Sequence, residues 1–428
     1  MAHAAWWKHV TPHEDIRENN IQEGIYAANL GQAVGGTAPP EYGDPQTFFA
    51  KTHVTAGLRK LLVDALRIVA GATDTQRVWN LQSSFGGGKT HSLLALYHLL
   101  QSFPQLKEEA GVREVAAAAA VEELPQVRVA TVAGSDINPL GIASTYRGET
   151  RTVSTIWGHI AWQLGGEEAF ALVADADESL TSPGAETLKQ LLVRWAPAVV
   201  LIDETLHYVQ KASNAAGSDR LAEQTVALMQ ELPEAVTTAP GSLLVVSLTA
   251  SSQEQLGLES QQWLSRLSTH YRRIAEPRFT IEQNEIHGIV RKRLFDRVDT
   301  DAAEKVAETY RELYENVDAV SAHYGTGSYQ SEIARAFPFH PELIRILYES
   351  WASRQEFHYT RGTLRFLSRL LAALWENRRD EDAPLVHPGA VPLGDGQVRA
   401  VVRDASGDPQ WESVIASDID GAGAGYGG

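Results

Sequence analysis

Residues 77–91 read RVWNLQSSFGGGKTH, and this stretch decides the fold. RVWNLQS reads as a short β-strand, and THSLLALYHLLQ, which begins at Thr90, has the apolar spacing of a helix. Three successive glycines stand between them and allow the backbone to turn tightly. A strand, a glycine-rich turn and a helix in this order predict a loop that holds phosphate groups at the helix N-terminus.

The segment SSFGGGKTH, residues 83–91, fits the pattern G-x-x-x-x-G-K-[ST] only in part, because Ser83 stands at the first glycine position. Lys89 would neutralise the β- and γ-phosphates of ATP, and the Thr90 hydroxyl would bind Mg²⁺. The competing interpretation is a turn that only connects a strand to a helix. The predicted ATP-binding residues are Phe85, Gly86, Gly87, Gly88, Lys89, Thr90 and His91.

A second polar site follows the apolar run AVVLI, where Asp203 and Glu204 stand directly after a predicted buried strand. Ligands of parallel α/β sheets bind at the carboxyl ends of the strands. We therefore expect Asp203 to hold Mg²⁺ and Glu204 to polarise the attacking water as general base. The alternative is an acidic pair that only caps a helix beginning at Thr205.

The next apolar strand, LLVVSLT, ends at Thr249. A polar side chain there would lie beside Glu204 and would contact the γ-phosphate when ATP is bound. Ser247 and Ser251 are close enough in the sequence to be alternatives.

Strands alternate with helices up to about residue 280, which predicts a parallel α/β sheet sandwiched by helices. After residue 280 the periodic segments all have helical spacing. We predict four regions: an N-terminal extension at 1–45, an ATPase core at 46–280, a helical lid at 281–380, and an irregular segment with a flexible tail at 381–428.

Composition limits the functions available to the chain. Its 428 residues contain no cysteine, which excludes disulfides, thiolate metal sites and a cysteine nucleophile and fits a cytoplasmic location. The apolar runs are too short to span a bilayer, so we expect no membrane association. The net charge of −17 does not predict contact with DNA, because nucleic-acid-binding proteins usually carry a basic face.

The order of these features resembles that of an AAA+ P-loop ATPase. The resemblance implies an arginine finger that reaches the nucleotide of a neighbouring copy, hence a homo-oligomer, and Arg273 or its neighbour Arg272 stands at the corresponding place before RIAEPRF. It also implies a helical lid with a G-x-x-R element, which Gly362 to Arg365 match. Arg365 is then a candidate γ-phosphate contact, and Arg361 is the alternative.

Longer strings are similar to a prokaryotic family of large ATPases encoded beside DNA methyltransferases and helicases in anti-phage or restriction-type gene clusters. The strings are EGIYAANLGQ, SSFGGGKTHSLLALYHL, LIDETLHYVQ, FPFHPELIRILYESW and TRGTLRFLSRL. The resemblance implies ATP hydrolysis that drives conformational work in a DNA-directed defence complex, with methyltransferase, helicase or nuclease partners. The alternative is a regulatory switch that binds ATP and controls the assembly of a separate effector with little turnover.

Overall fold

The computed structural model describes residues 4–22, 26–82, 88–215, 219–248, 258–279, 285–351, 357, 360–380, 382–406, 410–415 and 417. These residues form two compact units. One unit lies within residues 28–282, and the other combines residues up to 27 with those from 283 onward. Each unit is considered by itself below.

The β-strands of the described residues are β1 (Val10–Pro12), β2 (Val78–Gln82), β3 (Arg128–Ala133), β4 (Ile142–Tyr146), β5 (Glu149–Val153), β6 (Ala198–Asp203), β7 (Leu243–Val246), β8 (Glu276–Phe279) and β9 (Phe295–Val298).

The helices up to residue 274 are α1 (Glu14–Arg17), α2 (Leu30–Val34), α3 (Pro40–Gly43), α4 (Pro45–Ala50), α5 (Ala56–Val69), α6 (Lys89–Leu106), α7 (Ala110–Ala119), α8 (Ile156–Phe170), α9 (Ala174–Glu178), α10 (Ala185–Arg194), α11 (Thr205–Asn214), α12 (Arg220–Thr238) and α13 (Leu258–Ile274). The later helices are α14 (Ile286–Leu294), α15 (Thr300–Glu315), α16 (Asp318–Tyr324), α17 (Gly327–Ala336), α18 (Pro341–Arg345), α19 (Thr360–Glu376), α20 (Gly396–Ser406) and α21 (Trp411–Val414).

A five-stranded parallel sheet in the order β3-β6-β7-β2-β8 forms the centre of the first unit. Successive residues of β6 point to opposite faces, as the pleat of a strand requires. Val200 and Ile202 join one hydrophobic core, while Val199 and Leu201 join the other. Burial on both faces explains why AVVLI is apolar throughout. The predicted α/β class, a parallel sheet with helices on both sides, is confirmed.

An antiparallel hairpin of β4 and β5, which the predicted alternation does not include, interrupts the order of strands and helices. The apolar spacing of residues 152–166 predicts a helix from Thr152, but Thr152 and Val153 belong to β5 and the helix α8 begins at Ile156. β-branched residues alternate along β5 at Thr150 and Thr152, and Arg147 and Gly148 turn the chain with positive φ angles of 50° and 87°. These are the features of a two-residue hairpin loop.

The second unit is mostly helical, but it contains a short antiparallel ribbon. Val10 of β1 pairs with Val298 of β9, so the segment FDRV is a strand, although helical spacing alone predicts that the preceding helix continues through it. The cause is long-range, because the partner strand comes from the N-terminal segment that we expected to be an extension. Trp6 and Ile16 of that segment are 1% exposed in the core of this unit.

Candidate functional site

The site is built at the carboxyl ends of the parallel strands of the first unit. Gly88 adopts a left-handed conformation (φ 87°, ψ −11°) that favours glycine, and α6 begins at the next residue, Lys89. The eighteen residues of α6 place a positive helix end at this point. Phe85, Gly86 and Gly87 of the predicted loop lie outside the described residues.

Thr90 and Asp203 are brought together although 113 positions separate them in the chain. The Thr90 hydroxyl donates a hydrogen bond of 2.6 Å to Oδ2 of Asp203. Asp203 ends β6, and its carboxyl oxygen Oδ1 accepts from the backbone N–H of Glu204. Two of the residues predicted from separate motifs therefore meet at one edge of the sheet.

Burial and charge act in opposite directions on Lys89 and Asp203. Burial lowers the pKa of Lys89, while the carboxyl groups of Asp203 and Glu204 oppose that shift. Burial also raises the pKa of Asp203, and the hydrogen bond from Thr90 opposes it. An ammonium group and a carboxyl group with few water contacts form an environment in which electrostatic interactions with a bound phosphate are strong.

Glu204 has an unusual backbone conformation for a residue with a side chain. Its φ of 51° and ψ of 46° are left-handed, a conformation that costs a non-glycine residue about 1 kcal/mol or more. Gly134, which follows β3, lies against it so closely that a Cβ atom at Gly134 would stand 2.3 Å from the Glu204 carbonyl oxygen. Such strain persists where the surroundings impose it, and it is concentrated at functional sites.

The Glu204 side chain has two polar neighbours that are not among the predicted site residues. Nδ1 of His207 lies 3.5 Å from its carboxylate. The hydrogen bond with His207, and then one from Ser135, lower the pKa of Glu204, while burial opposes both. The same contact raises the pKa of His207. His207 and Ser135 also line a groove of about 700 Å³.

Ser247, one of the two alternatives to Thr249, is the polar residue that directly follows β7. Ser247 is fully buried, and its hydroxyl forms a hydrogen bond with Asp203. Its backbone N–H donates to the carbonyl of Ile202 at 2.8 Å. Thr249, our first choice, lies outside the described residues, as does Ser251.

His91 lies on the first turn of α6 and packs against α4. Its ring stacks on Phe48 with centroids 4.6 Å apart, and its Nε2 lies 3.1 Å from the Thr52 hydroxyl. Phe48 and Phe49 are buried in the hydrophobic core, so the side chain of His91 is held by core contacts.

The predicted arginines have different surroundings. Arg272 and Arg273 are exposed in the last turn of α13, directly before β8. Arg365 belongs to the second unit, where its guanidinium group lies 3.3 Å from Asp404 on α20. Arg361 is exposed one turn earlier on α19.

Of the missed neighbours of Glu204, only His207 has a signal in the sequence. His207 comes three positions later, and residues three apart meet on one face of a helix. Ser135 follows the end of β3, which pairs with β6 in parallel register so that Ala133 is opposite Asp203. Gly134 could be recognised only from the structure, because its role depends on contact with a distant backbone.

Family comparisons cover both units of the chain. Residues 7–276 match the model of the DUF499 N-terminal domain, and residues 281–421 match that of the DUF499 second domain. Neither the curated proteins nor the solved structures contain a match to this chain. Within the described residues, no helix has the length and apolar character needed to cross a membrane.

Proposed function

This chain belongs to the DUF499 family, and we propose that it is a magnesium-dependent ATPase of the AAA+ type. The observation that carries the proposal is the 2.6 Å hydrogen bond between Thr90 and Asp203. This bond connects Thr90, which follows the glycine-rich turn and Lys89, to Asp203 at the end of a buried parallel strand. Nucleotide-hydrolysing sites of this class need both elements within reach of one phosphate group.

Thr90 and Asp203 are suitable residues to hold Mg²⁺. Both offer oxygen atoms, which this hard cation prefers, and sites that also use substrate phosphates need only one or two protein ligands. The described residues contain no group of three or more His, Asp or Glu side chains that could hold a metal alone. Mg²⁺ at this position would neutralise charge on the β- and γ-phosphate oxygens of ATP.

The remaining residues have separate roles in the proposed reaction. Lys89 attracts the negative charge of the β- and γ-phosphates, and the N-terminal end of α6 adds backbone N–H donors. Glu204 orients the attacking water and accepts its proton. Arg273 or Arg272 from a neighbouring copy and Arg365 are proposed to stabilise the transferred phosphoryl charge.

The first test is the substitution Lys89→Ala. We expect ATP binding to be lost or severely weakened, because a charge-assisted contact to the phosphates disappears. Lys60→Ala is the matched control, since Lys60 lies on α5 with a side chain that is 66% exposed. Binding of a fluorescent ATP analogue measures the effect. Equal affinity in the Lys89→Ala and Lys60→Ala variants would contradict the proposed site.

The second test is Glu204→Gln, which keeps the shape of the side chain and removes its basicity. ATP binding should persist, while turnover should fall by about 100-fold or more, as expected when a general base is lost. Phosphate release under multiple-turnover conditions measures this. Retained hydrolysis would place the base at another residue.

One observation favours the alternative of an ATP-binding switch with little turnover. His207 and Ser135 both lower the basicity of Glu204, and a weaker base activates water less well. Under this alternative the wild-type protein would bind ATP, change its assembly state and release phosphate in only about one turnover per chain. Steady multiple-turnover phosphate release would exclude it.

The proposed role in a DNA-directed prokaryotic defence complex rests on the sequence resemblance alone. Its test is native mass spectrometry of the protein with and without ATP and duplex DNA. We expect ATP to stabilise a homo-oligomer. We also expect ATP turnover per chain to rise with protein concentration, because the arginine finger would come from a second copy.

A further inference from the structure

A separate cavity of about 720 Å³ lies in the first unit, at the end of β3 that begins with Arg128. Asp203 pairs with Ala133 at the other end of this strand. The two ends are five positions apart in the sequence, which corresponds to about 17 Å along a strand. The cavity is therefore distinct from the site around Lys89. Its walls come from the end of α6, residues 124–129, hairpin residues 145–147, Val34 and Gln163.

Tyr146, at the end of β4, is held in place from several sides. Its hydroxyl accepts a hydrogen bond of 3.2 Å from Arg128. Its ring lies against Gly166, where a Cβ atom would come within 2.7 Å of the ring. Helix α8 departs from helical geometry at Gly165 and Gly166, which leaves room for this ring. A helix distorted at the contact indicates that the position of Tyr146 is closely defined by the fold.

Arg147 completes the arrangement with a second guanidinium group. Its guanidinium carbon lies 5.3 Å from the centre of the Tyr146 ring. Arg147 occupies a hairpin position with φ of 50°, where asparagine, aspartate or glycine is the usual choice. Keeping an arginine there costs backbone strain, and such outliers point to a functional constraint.

No carboxylate balances the positive charge of Arg128 and Arg147 within the described part of the chain. None of the described residues that line it is Asp or Glu, although the protein has a net charge of −17. Arg59, Arg67, Arg151, Arg194 and Arg278 of the same unit each form an ion pair. Arg128 and Arg147 form none with any described carboxylate.

We propose that this cavity binds a nucleotide-sized phosphomonoester whose phosphate group contacts the guanidinium groups of Arg128 and Arg147. Two guanidinium groups match the charge of a phosphomonoester, which is about −1.5 to −2 at neutral pH, better than they match a single carboxylate. The planar guanidinium fork binds phosphate oxygens in pairs. The volume lies in the range of small-molecule sites, and Tyr97, Phe103 and Leu124 give it apolar walls for the organic part.

The proposal is independent of ATP hydrolysis and is tested with AMP as the probe. Calorimetric titration is carried out on the Lys89→Ala variant, so that the candidate ATP site does not contribute. We expect saturable AMP binding with a Kd below about 1 mM. Inorganic phosphate should compete, and adenosine should bind at least about tenfold more weakly, because charge-assisted contacts to the phosphate are lost.

Substitutions locate the binding. Arg147→Ala changes an exposed hairpin residue and should weaken AMP binding by about tenfold or more. Arg147→Lys keeps the charge without the fork and should have an intermediate effect. Arg59→Ala, which changes an arginine of the same unit whose side chain is 40% exposed, should leave the affinity unchanged. Absence of saturable binding of both AMP and phosphate, or unchanged affinity in Arg147→Ala and Arg128→Ala, would overturn the proposal.

Discussion

Gly134 is the residue on which the position of Glu204 depends most directly. The backbone N–H of Gly134 donates to the carbonyl of Asp203 at 3.0 Å, and a methyl group at Gly134 would overlap the carbonyl oxygen of Glu204. The end of β3 can approach the end of β6 this closely only without a side chain. We infer that Gly134 fixes the direction of the Glu204 carboxylate.

We predict that Gly134→Ala lowers ATP turnover by about tenfold or more, since a displacement of the base by a fraction of an ångström misaligns it. The protein should fold with a stability loss of about 1–3 kcal/mol from overpacking. Gly327→Ala is the control, because an added Cβ there meets no atom within 4 Å. Turnover and thermal unfolding of both variants are the measurements. Unchanged turnover in Gly134→Ala would separate this glycine from the site.

His207 is expected to affect turnover more than ATP binding. Its contact with Glu204 lowers the pKa of that carboxyl group, so His207→Gln should restore basicity and raise kcat by a factor of a few. The KM for ATP should stay within about twofold, because His207 faces the groove. Asn214→Ala, on an exposed position of the same helix, is the control. A fall of kcat in His207→Gln would mean that the histidine aids the base.

Single residues differed in how far sequence could identify them. Thr90 and Asp203 belong to local motifs whose chemistry is independent of the rest of the fold, and the structure brings them together. The sequence indicates Ser247 only as one of three candidates, with Thr249 and Ser251. Which of them lies beside Asp203 depends on the residue at which β7 ends. Gly134 and Ser135 depend on the alignment of two parallel strands, which no local pattern records.

Among the elements, the junction of the hairpin with α8 is organised by one buried carboxylate. Asp177 accepts hydrogen bonds from the Thr155 hydroxyl at 2.5 Å and from the backbone N–H of Ser154 at 3.0 Å. Thr155 in turn caps α8 by accepting from the N–H of Gly158. The hairpin and the helix therefore share one hydrogen-bond network.

We predict that Asp177→Ala destabilises the first unit by about 2–4 kcal/mol, because buried donors lose their acceptor. Asp175→Ala on the same short helix should change stability by less than about 0.5 kcal/mol. Thermal or urea unfolding measures both. Equal unfolding midpoints of the two variants would show that the network does not stabilise this junction.

The elements that could not be predicted from the sequence, the ribbon and the hairpin, have different physical causes. The strands of the parallel sheet were recognisable because burial on both faces makes them apolar throughout. The ribbon of β1 and β9 joins segments almost 290 residues apart, and each strand is too short for a periodic pattern. The hairpin was hidden because Thr152 and Val153 run into a strongly apolar helix. Long-range pairing decided the ribbon, whereas the hairpin is a local pairing that the following apolar helix concealed.

The whole molecule contains buried neutral histidines in both units, which links its stability to pH. In the second unit, Nδ1 of His340 accepts from the backbone N–H of Glu342 at 3.2 Å, so Nε2 carries the proton that meets the Tyr314 hydroxyl at 2.9 Å. Burial, with His387 nearby, lowers the pKa of His340 to about 4. In the first unit, burial lowers the pKa of His159 to about 4 as well.

The sign of the effect follows from proton binding. An unfolded chain takes up protons on these histidines below about pH 6.5, whereas the folded protein does not until about pH 4. Stability should therefore be constant above pH 6.5 and fall by up to about 3 kcal/mol per histidine as the pH approaches 4. His340→Gln should reduce this fall for the second unit, while His323→Gln, at an exposed position, should not. Calorimetric unfolding between pH 8 and pH 4.5 tests this. A transition that keeps its midpoint over that range would mean that the histidines are as easily protonated in the folded protein as in the unfolded chain.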